Sequence, residues 1–301
     1  MKEVEVAIVG GGPAGLSAAL VLGRCRRRVV LYDGGHHRND QTGAVHGFLT
    51  RDGIAPRALR DAARDELRAY PTVELRDATI TDLTRVDGAF VLVPTAGEPL
   101  HARRVLLATG VRDVHPPIDG VEALHGRRVV PCPYCDGWEH RDQPLGAYGH
   151  PDDRGARYAM LLGQWSRDVT LYGAGPWTLS DDARTRLAQR GIAIDQRPIV
   201  RLTEDDGGVR LWFADATSVW RAALFYHLGC EPGNQLARQL GAPLDDRDGI
   251  VVDRIGATPI AGLYAAGDAT RDALQAIVGA GEGAAAAIAI DRSLTLGDWP
   301  E

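Results

Sequence analysis

The chain opens on a short apolar run, residues 4–9, that stops at a cluster of glycines. A helical pattern follows over residues 16–22, and a second apolar run, 29–32, ends at Asp33. Short apolar runs bounded by glycine read as strands buried on both faces. The order strand, glycine turn, helix, strand predicts a βαβ unit. Residues 61–70 have the spacing of an amphipathic helix. Residues 73–93 alternate like strands, with a turn at Asp87-Gly88 and a stop at Pro94. Residues 105–107 predict a buried strand that runs into Ala108-Thr109-Gly110.

The pattern changes at Val114-His115-Pro116-Pro117, where the proline pair and Asp119-Gly120 predict a linker. A second α/β region then begins, with a strand at 145–149, a helix at 155–165 and a strand at 169–172. It is a second βαβ unit and a weak repeat of the first. Another boundary falls at 229–233. The last part holds apolar runs at 250–252 and 263–266, the latter ending in Gly267-Asp268, and an Ala-rich helix over 274–290. The expected fold class is α/β: two Rossmann-like domains, the second inserted in the first. The expected segments are 1–114, 115–230 and 231–301.

Length and charge narrow the function. With 301 residues there is room for two domains. A formal charge of -6 counts against nucleic-acid binding, which needs basic surface. The basic run Arg24, Arg26, Arg27 and Arg28 reads as a solvated helix end that complements the helix dipole. The most apolar stretch, 4–22, is broken by glycines and Pro13, so no membrane span is expected. The first residues lack the basic and apolar regions of a signal peptide, which points to the cytoplasm.

Gly10-x-Gly12-x-x-Gly15 follows a strand and opens a helix, and Asp33 ends the next strand. In this context the triplet is a dinucleotide fingerprint. Gly10 permits the tight turn, Gly12 lets backbone approach a pyrophosphate, and Gly15 lets helix and strand pack closely. Pro13 and Ala14 belong to the same cofactor turn, and the N-terminus of the helix after it faces the phosphates. Asp33 can accept hydrogen bonds from a ribose. The motif alone leaves NAD and FAD open.

Pro131-Cys132-Pro133-Tyr134-Cys135-Asp136-Gly137 is the most specific feature. Two cysteines spaced by two residues can close a small disulfide, and an adjacent acid can move the proton that exchange requires. Zinc would need a second ligand pair. The other cysteines, Cys25 and Cys230, are single, and no His-x3-5-His pattern exists. No metal is therefore expected. Cys25 and Cys230 read as small buried residues, and Asp136 and Gly137 mark a polar turn.

The glycine turn, Thr109-Gly110 and Gly267-Asp268 together resemble the two-dinucleotide flavoprotein reductases. The Cys-x-x-Cys-Asp motif in the inserted domain is similar, nearly end to end, to the low-molecular-weight thioredoxin reductases. The resemblance implies FAD as cofactor, held by the glycine turn, Asp33, Thr109-Gly110 and Gly267-Asp268. It puts Gln275-Ala276 at a helix end beside the flavin ring. It also implies that Cys135 is the thiol nearer the flavin, that Cys132 is the outer thiol and that Asp136 is the general acid/base. A homodimer and a thioredoxin-like partner would follow from it as well.

The inserted domain departs from that pattern. Where the reductases carry a second glycine turn for NADPH, this chain has Gly149-His150-Pro151-Asp152-Asp153-Arg154-Gly155. Proline removes an N–H, and two carboxylates repel phosphate. No basic residue follows in Gly173-Ala174-Gly175-Pro176-Trp177. Arg38-Asn39, His46-Gly47-Phe48-Leu49, Arg51-Asp52-Gly53 and Gly137-Trp138-Glu139 instead resemble the flavin dithiol oxidases of the gliotoxin and holomycin type. Those enzymes close a disulfide in a small-molecule dithiol and pass electrons through FAD to oxygen. Some members have His in place of Asp136, and His46 reads equally as a loop residue or a substrate-side group. The expectation is a dithiol oxidase. An NADPH-driven disulfide reductase and a redox-sensing flavoprotein without turnover stand behind it.

Overall fold

The structure is a computed structural model and describes residues 3–270 and 273–297. The chain divides into two compact units. The first comprises Met1–Asp40, Phe48–Arg112 and Glu231–Glu301, and the second Gln41–Gly47 and Asp113–Cys230. These units end at 112 and 230, where the expected segments ended at 114 and 230. The excursion 41–47 was not anticipated. It groups with the second unit because Gln41 lies against Gly126, whose absent Cβ would come within 2.6 Å of the Gln41 carbonyl carbon.

The first unit is built on parallel strands in the order Val73–Asp77, Val29–Asp33, Glu3–Val9, Leu100–Leu107 and Leu263–Ala265. Val29–Asp33 is buried along its whole length, as a strand covered on both faces must be. Val6 and Ile8 face the helices Pro13–Arg24 and Ala276–Leu296, while Ala7 and Val9 face Leu83, Phe90 and Leu92. Each fully buried side chain of this size stabilises by roughly 1.5–3 kcal/mol. An antiparallel meander, Ile80–Val86 and Ala89–Pro94, turns at Asp87-Gly88, and its second strand pairs with the start of Leu100–Leu107.

The second unit repeats this plan. Its parallel sheet runs Ala193–Ile194, Val169–Gly173, Leu145–Gly149, Ala223–His227 and Val129–Val130. Helices Asp153–Leu162 and Asp181–Gln189 cover one face, and a three-stranded meander, Ile199–Asp205, Gly208–Phe213 and Ser218–Arg221, covers the other. The meander is absent from the sequence reading, although its Asp206-Gly207 turn carries the same signal as Asp87-Gly88.

Several expectations are corrected. The helix expected over 61–70 is Pro56–Leu67, because Pro56 sits at the first helical position, where its missing N–H is harmless. The run 250–252 forms no named strand. Ile250 only bridges Leu244 and donates to the Ala269 carbonyl. The supposed linker at 114–120 is docked: Asp119 bridges Arg201, and a side chain at Gly120 would overlap the Leu202 carbonyl. Cys25 is exposed and Cys230 half-buried, since both sit at element ends. The basic run is structured rather than only solvated: Arg27 pairs with Glu5 at 2.9 Å and with Asp291 at 2.6 Å. Among the described residues, no helix is long and apolar enough to cross a membrane.

Candidate active site

Cys132 and Cys135 are joined by a disulfide, with their Cα atoms 5.2 Å apart. They lie at the two ends of one helical turn, Pro133–Asp136, not in the open polar turn expected. Pro133 begins the turn, and Cys132 caps it in extended conformation. The Cys135 N–H donates to Cys132 Sγ at 3.1 Å. A donor aimed at sulfur favours its thiolate once the disulfide opens.

The turn rests on two side chains that the sequence did not disclose. A Cβ at Gly137 would come within 2.7 Å of the Trp165 ring, so only glycine lets the indole pack beneath the turn. The Tyr134 ring stands edge-on to Trp165 at 5.6 Å. The buried Tyr158 hydroxyl donates to the carbonyls of Tyr226 at 3.1 Å and Pro131 at 3.3 Å, fixing the residue before Cys132. Neither Trp165 nor Tyr158 belongs to a motif. Both are brought to the dithiol by the helix Asp153–Leu162 and the loop after it.

Asp136 is half-buried, and its carboxyl is pushed up from 3.8 to about 6. Burial is the main cause. The neighbouring Glu139 charge adds to it, and His46 acts against it. The His46 Nε2 lies 3.5 Å from Glu139 Oε1. A carboxyl that exchanges its proton near neutral pH is suited to serve thiol chemistry as acid and base.

In the first unit the glycine turn makes an open cradle. A side chain at Gly15 would overlap the Gly10 carbonyl, and one at Gly11 would overlap the Asp33 carboxylate. At Gly12 a Cβ would meet nothing within 4 Å. Gly12 is also the N-cap of Pro13–Arg24 and gives it no side-chain cap, so the positive end of a twelve-residue helix faces this opening. Asp33 is buried. Burial alone would raise its carboxyl, but His37 at 3.1 Å, the Gly35 N–H at 2.9 Å and Arg64 at 3.0 Å hold it down to about 2.

The remaining predicted groups converge on the same unit. Asn39 accepts from Arg60 at 3.2 Å. The Thr109 hydroxyl donates to the Gly233 carbonyl, and the Gly233 N–H donates to the Gly110 carbonyl at 2.8 Å. The Gly267 N–H donates to Glu282 at 2.9 Å, and Asp268 lies 3.2 Å from Arg38. Gln275 is the N-cap, without a side-chain cap, of the helix that starts at Ala276. That helix touches Ala14 through Gly279 and Gly283, and a side chain at Gly283 would overlap the Ala14 carbonyl. Small residues at both contacts thus bring Gly267-Asp268 against the glycine turn. Gly279, Gly283 and Arg64 were missed, because single glycines and arginines carry no motif.

A model of the pyridine nucleotide-disulphide oxidoreductase family matches residues 4–284. The chain belongs to that family. It is 31% identical to a probable thioredoxin reductase of Arthroderma benhamiae, over 89% of this chain and 74% of that one. Among solved structures, an oxidoreductase from Agrobacterium tumefaciens aligns with a TM-score of 0.92 at 31% identity, covering 99% of this chain and 100% of that one. HlmI aligns with a TM-score of 0.91 at 36% identity, covering 97% and 93%. The protein is a thioredoxin reductase-like flavin thiol-disulfide oxidoreductase with FAD as its cofactor. The open cradle at Gly12 and the uncapped helix end behind it fit a pyrophosphate.

This makes a clean test available. Gly12→Val is expected to yield folded protein that has lost most of its FAD, since a Cβ at this position points into the cradle and meets no protein atom within 4 Å. Flavin absorbance per protein, beside a melting curve, reads the result. A fully yellow variant would show that the pyrophosphate does not run there.

The family's second nucleotide turn has a different character here. Asp152 caps the helix Asp153–Leu162 by accepting the Arg154 N–H at 2.9 Å, and it pairs with the Arg154 guanidinium at 2.7 Å. Asp153 accepts from the Ser180 N–H at 2.9 Å and from its hydroxyl at 2.8 Å. The Trp177 ring lies against Gly173, at the end of the next strand. The cation and the first-turn donor that could greet a phosphate are already engaged by the protein's own carboxylates.

Proposed function

We propose that the protein is an FAD-dependent dithiol oxidase, closing a disulfide in a small-molecule dithiol with oxygen as electron acceptor. One contrast carries the reading. The helix after Gly12 presents a bare N-terminus, whereas the corresponding helix of the second unit is capped by Asp152 and flanked by Asp153. The first is built for a dinucleotide, and the second excludes one by charge and by occupied donors. An enzyme of this family that does not use a nicotinamide must draw its electrons from the thiols it meets. The residues shared with the gliotoxin and holomycin type, from His46 to Leu49 and from Gly137 to Glu139, support the same conclusion, as does the likeness to HlmI.

A substrate thiolate attacks Cys132 Sγ, the Cys132–Cys135 bond breaks, and Cys135 leaves as a thiolate. The second substrate thiol then displaces Cys132 and closes the product disulfide. Asp136 takes the proton released in that displacement. Two substrate thiols become one disulfide while the protein's disulfide becomes two thiols, so the electrons balance. FAD held by the first unit would supply a two-electron acceptor for the dithiol, with oxygen as the final acceptor and hydrogen peroxide as its product. Gly10, Gly12, Pro13, Ala14, Gly15, Asp33, Asn39, Thr109, Gly110, Gly267, Asp268, Gln275 and Ala276 hold the cofactor in this reading. The working form is a cytoplasmic homodimer.

An anaerobic titration tests it. Dithiothreitol is expected to bleach the flavin quickly, and NADPH up to about a millimolar, the top of the usual range for substrate constants, is expected to bleach it slowly or not at all. Readmitted oxygen restores the colour and is consumed in proportion to the dithiol. Rapid, saturable bleaching by micromolar NADPH would instead make the protein a reductase of a protein disulfide.

A further inference from the structure

The excursion 41–47 leaves the first unit's sequence between the strand Val29–Asp33 and the helix Pro56–Leu67, yet it belongs to the unit that carries the dithiol. It is anchored at both ends. Gln41 and Thr42 lie against Gly126, and Val45 is buried. Gly47, at a φ of 70°, turns the chain away immediately afterwards. Between the anchor and the turn stands His46, 3.5 Å from Glu139, three residues after Asp136.

We propose that His46 and Glu139 are positioning residues that together set how tightly Asp136 holds its proton during thiol exchange. The inference rests on Asp136 being the acid/base of the proposed oxidase. Its basis is geometric. Asp136 closes the dithiol turn, and Glu139 follows on the same stretch of chain. A negative Glu139 near the half-buried Asp136 carboxyl favours its protonated form, and a positive His46 paired with Glu139 offsets it. The other ionisable groups around this cluster are the buried Tyr158 phenol, which feels the Asp136 charge, and His140, which feels the charges of Arg128 and Glu139. His46 is the member that comes from a remote part of the chain. Its arrival therefore couples the seating of the 41–47 excursion to the chemistry of the dithiol.

The test is the pH dependence with which dithiothreitol reduces the Cys132–Cys135 disulfide in the anaerobic holoenzyme. The reaction is quenched by alkylation, and the label at these two cysteines is read by mass, so no flavin signal is needed. The wild-type rate is expected to inflect near pH 6. His46→Gln should move the inflection up and Glu139→Gln should move it down, each by about half a pH unit or more. The double variant should fall between the two. Glu139→Gln supplies the downward shift on its own, so a poorly folded His46 variant does not rescue the proposal. Unmoved inflections, shifts in the same direction, or loss of rate with no shift would overturn it and leave the pair a structural contact. Should wild-type protein not be reduced at any pH, the dithiol oxidase reading falls with it. A wild-type inflection that Asp136→Asn abolishes but the His46 and Glu139 variants leave in place would sink only the positioning role.

Discussion

Replacing either cysteine of the disulfide with serine is expected to stop dithiol-driven oxygen uptake, with a loss on the order of 10³-fold or more. The two variants should nevertheless look different. Serine cannot form the mixed disulfide, so Cys132→Ser removes the atom that the substrate attacks. If Cys135 is the flavin-side thiol, as the proposed mechanism has it, this variant should show a long-wavelength charge-transfer band. Cys135→Ser, which keeps only Cys132 as the outer sulfur in that mechanism, should show none. It should still form a trapped mixed disulfide with dithiothreitol, detectable by mass. A band in the Cys135 variant and not in the Cys132 variant would reverse the two roles. Full turnover by either variant would take the disulfide off the reaction path.

Asp136→Asn should lose activity and gain stability. Asn cannot exchange the proton, and removing one acid/base group typically costs about 10²–10⁴ in rate. The stability argument follows from proton linkage. The folded protein holds the Asp136 proton up to about pH 6, while the unfolded chain releases it near 3.8. In that window the native state binds more protons, so its stability falls as pH rises and the deficit is complete above pH 6. Because burial is the largest cause, the uncharged amide escapes the penalty. A shift of this size corresponds to roughly 2–3 kcal/mol. The variant should therefore gain about that much relative to wild type between pH 4 and pH 8 in denaturant unfolding. A variant whose stability tracks wild type at both pH values would mean that Asp136 is not held protonated by its surroundings. Such a group would lack the proton affinity that acid/base work at neutral pH requires.

Much of the site was legible because its chemistry demands local sequence. A pyrophosphate cradle needs glycines at fixed spacing in one turn, and Gly10, Gly12 and Gly15 sit within six residues of one another. A small disulfide needs two cysteines one helical turn apart, and Cys132 and Cys135 satisfy this without help from the rest of the chain. The degenerate turn was readable for the same reason: Pro151, Asp152 and Asp153 are consecutive. The misses have the opposite character. Trp165, which packs against Gly137, and Tyr158, which holds the Pro131 carbonyl, lie more than twenty residues downstream of the dithiol turn and belong to no motif.

By itself, then, the sequence determined the two βαβ units, the cofactor turn and the redox pair, since each is set by backbone geometry over a few neighbouring residues. The tertiary structure alone decided that Asp152 engages Arg154 and that Asp153 engages Ser180. It decided that Gly279 and Gly283 seat the last helix on Ala14, and that His46 reaches Glu139 across more than ninety residues of chain. Charge and burial act through space, and a group's proton affinity depends on neighbours that only packing brings within a few ångströms of it.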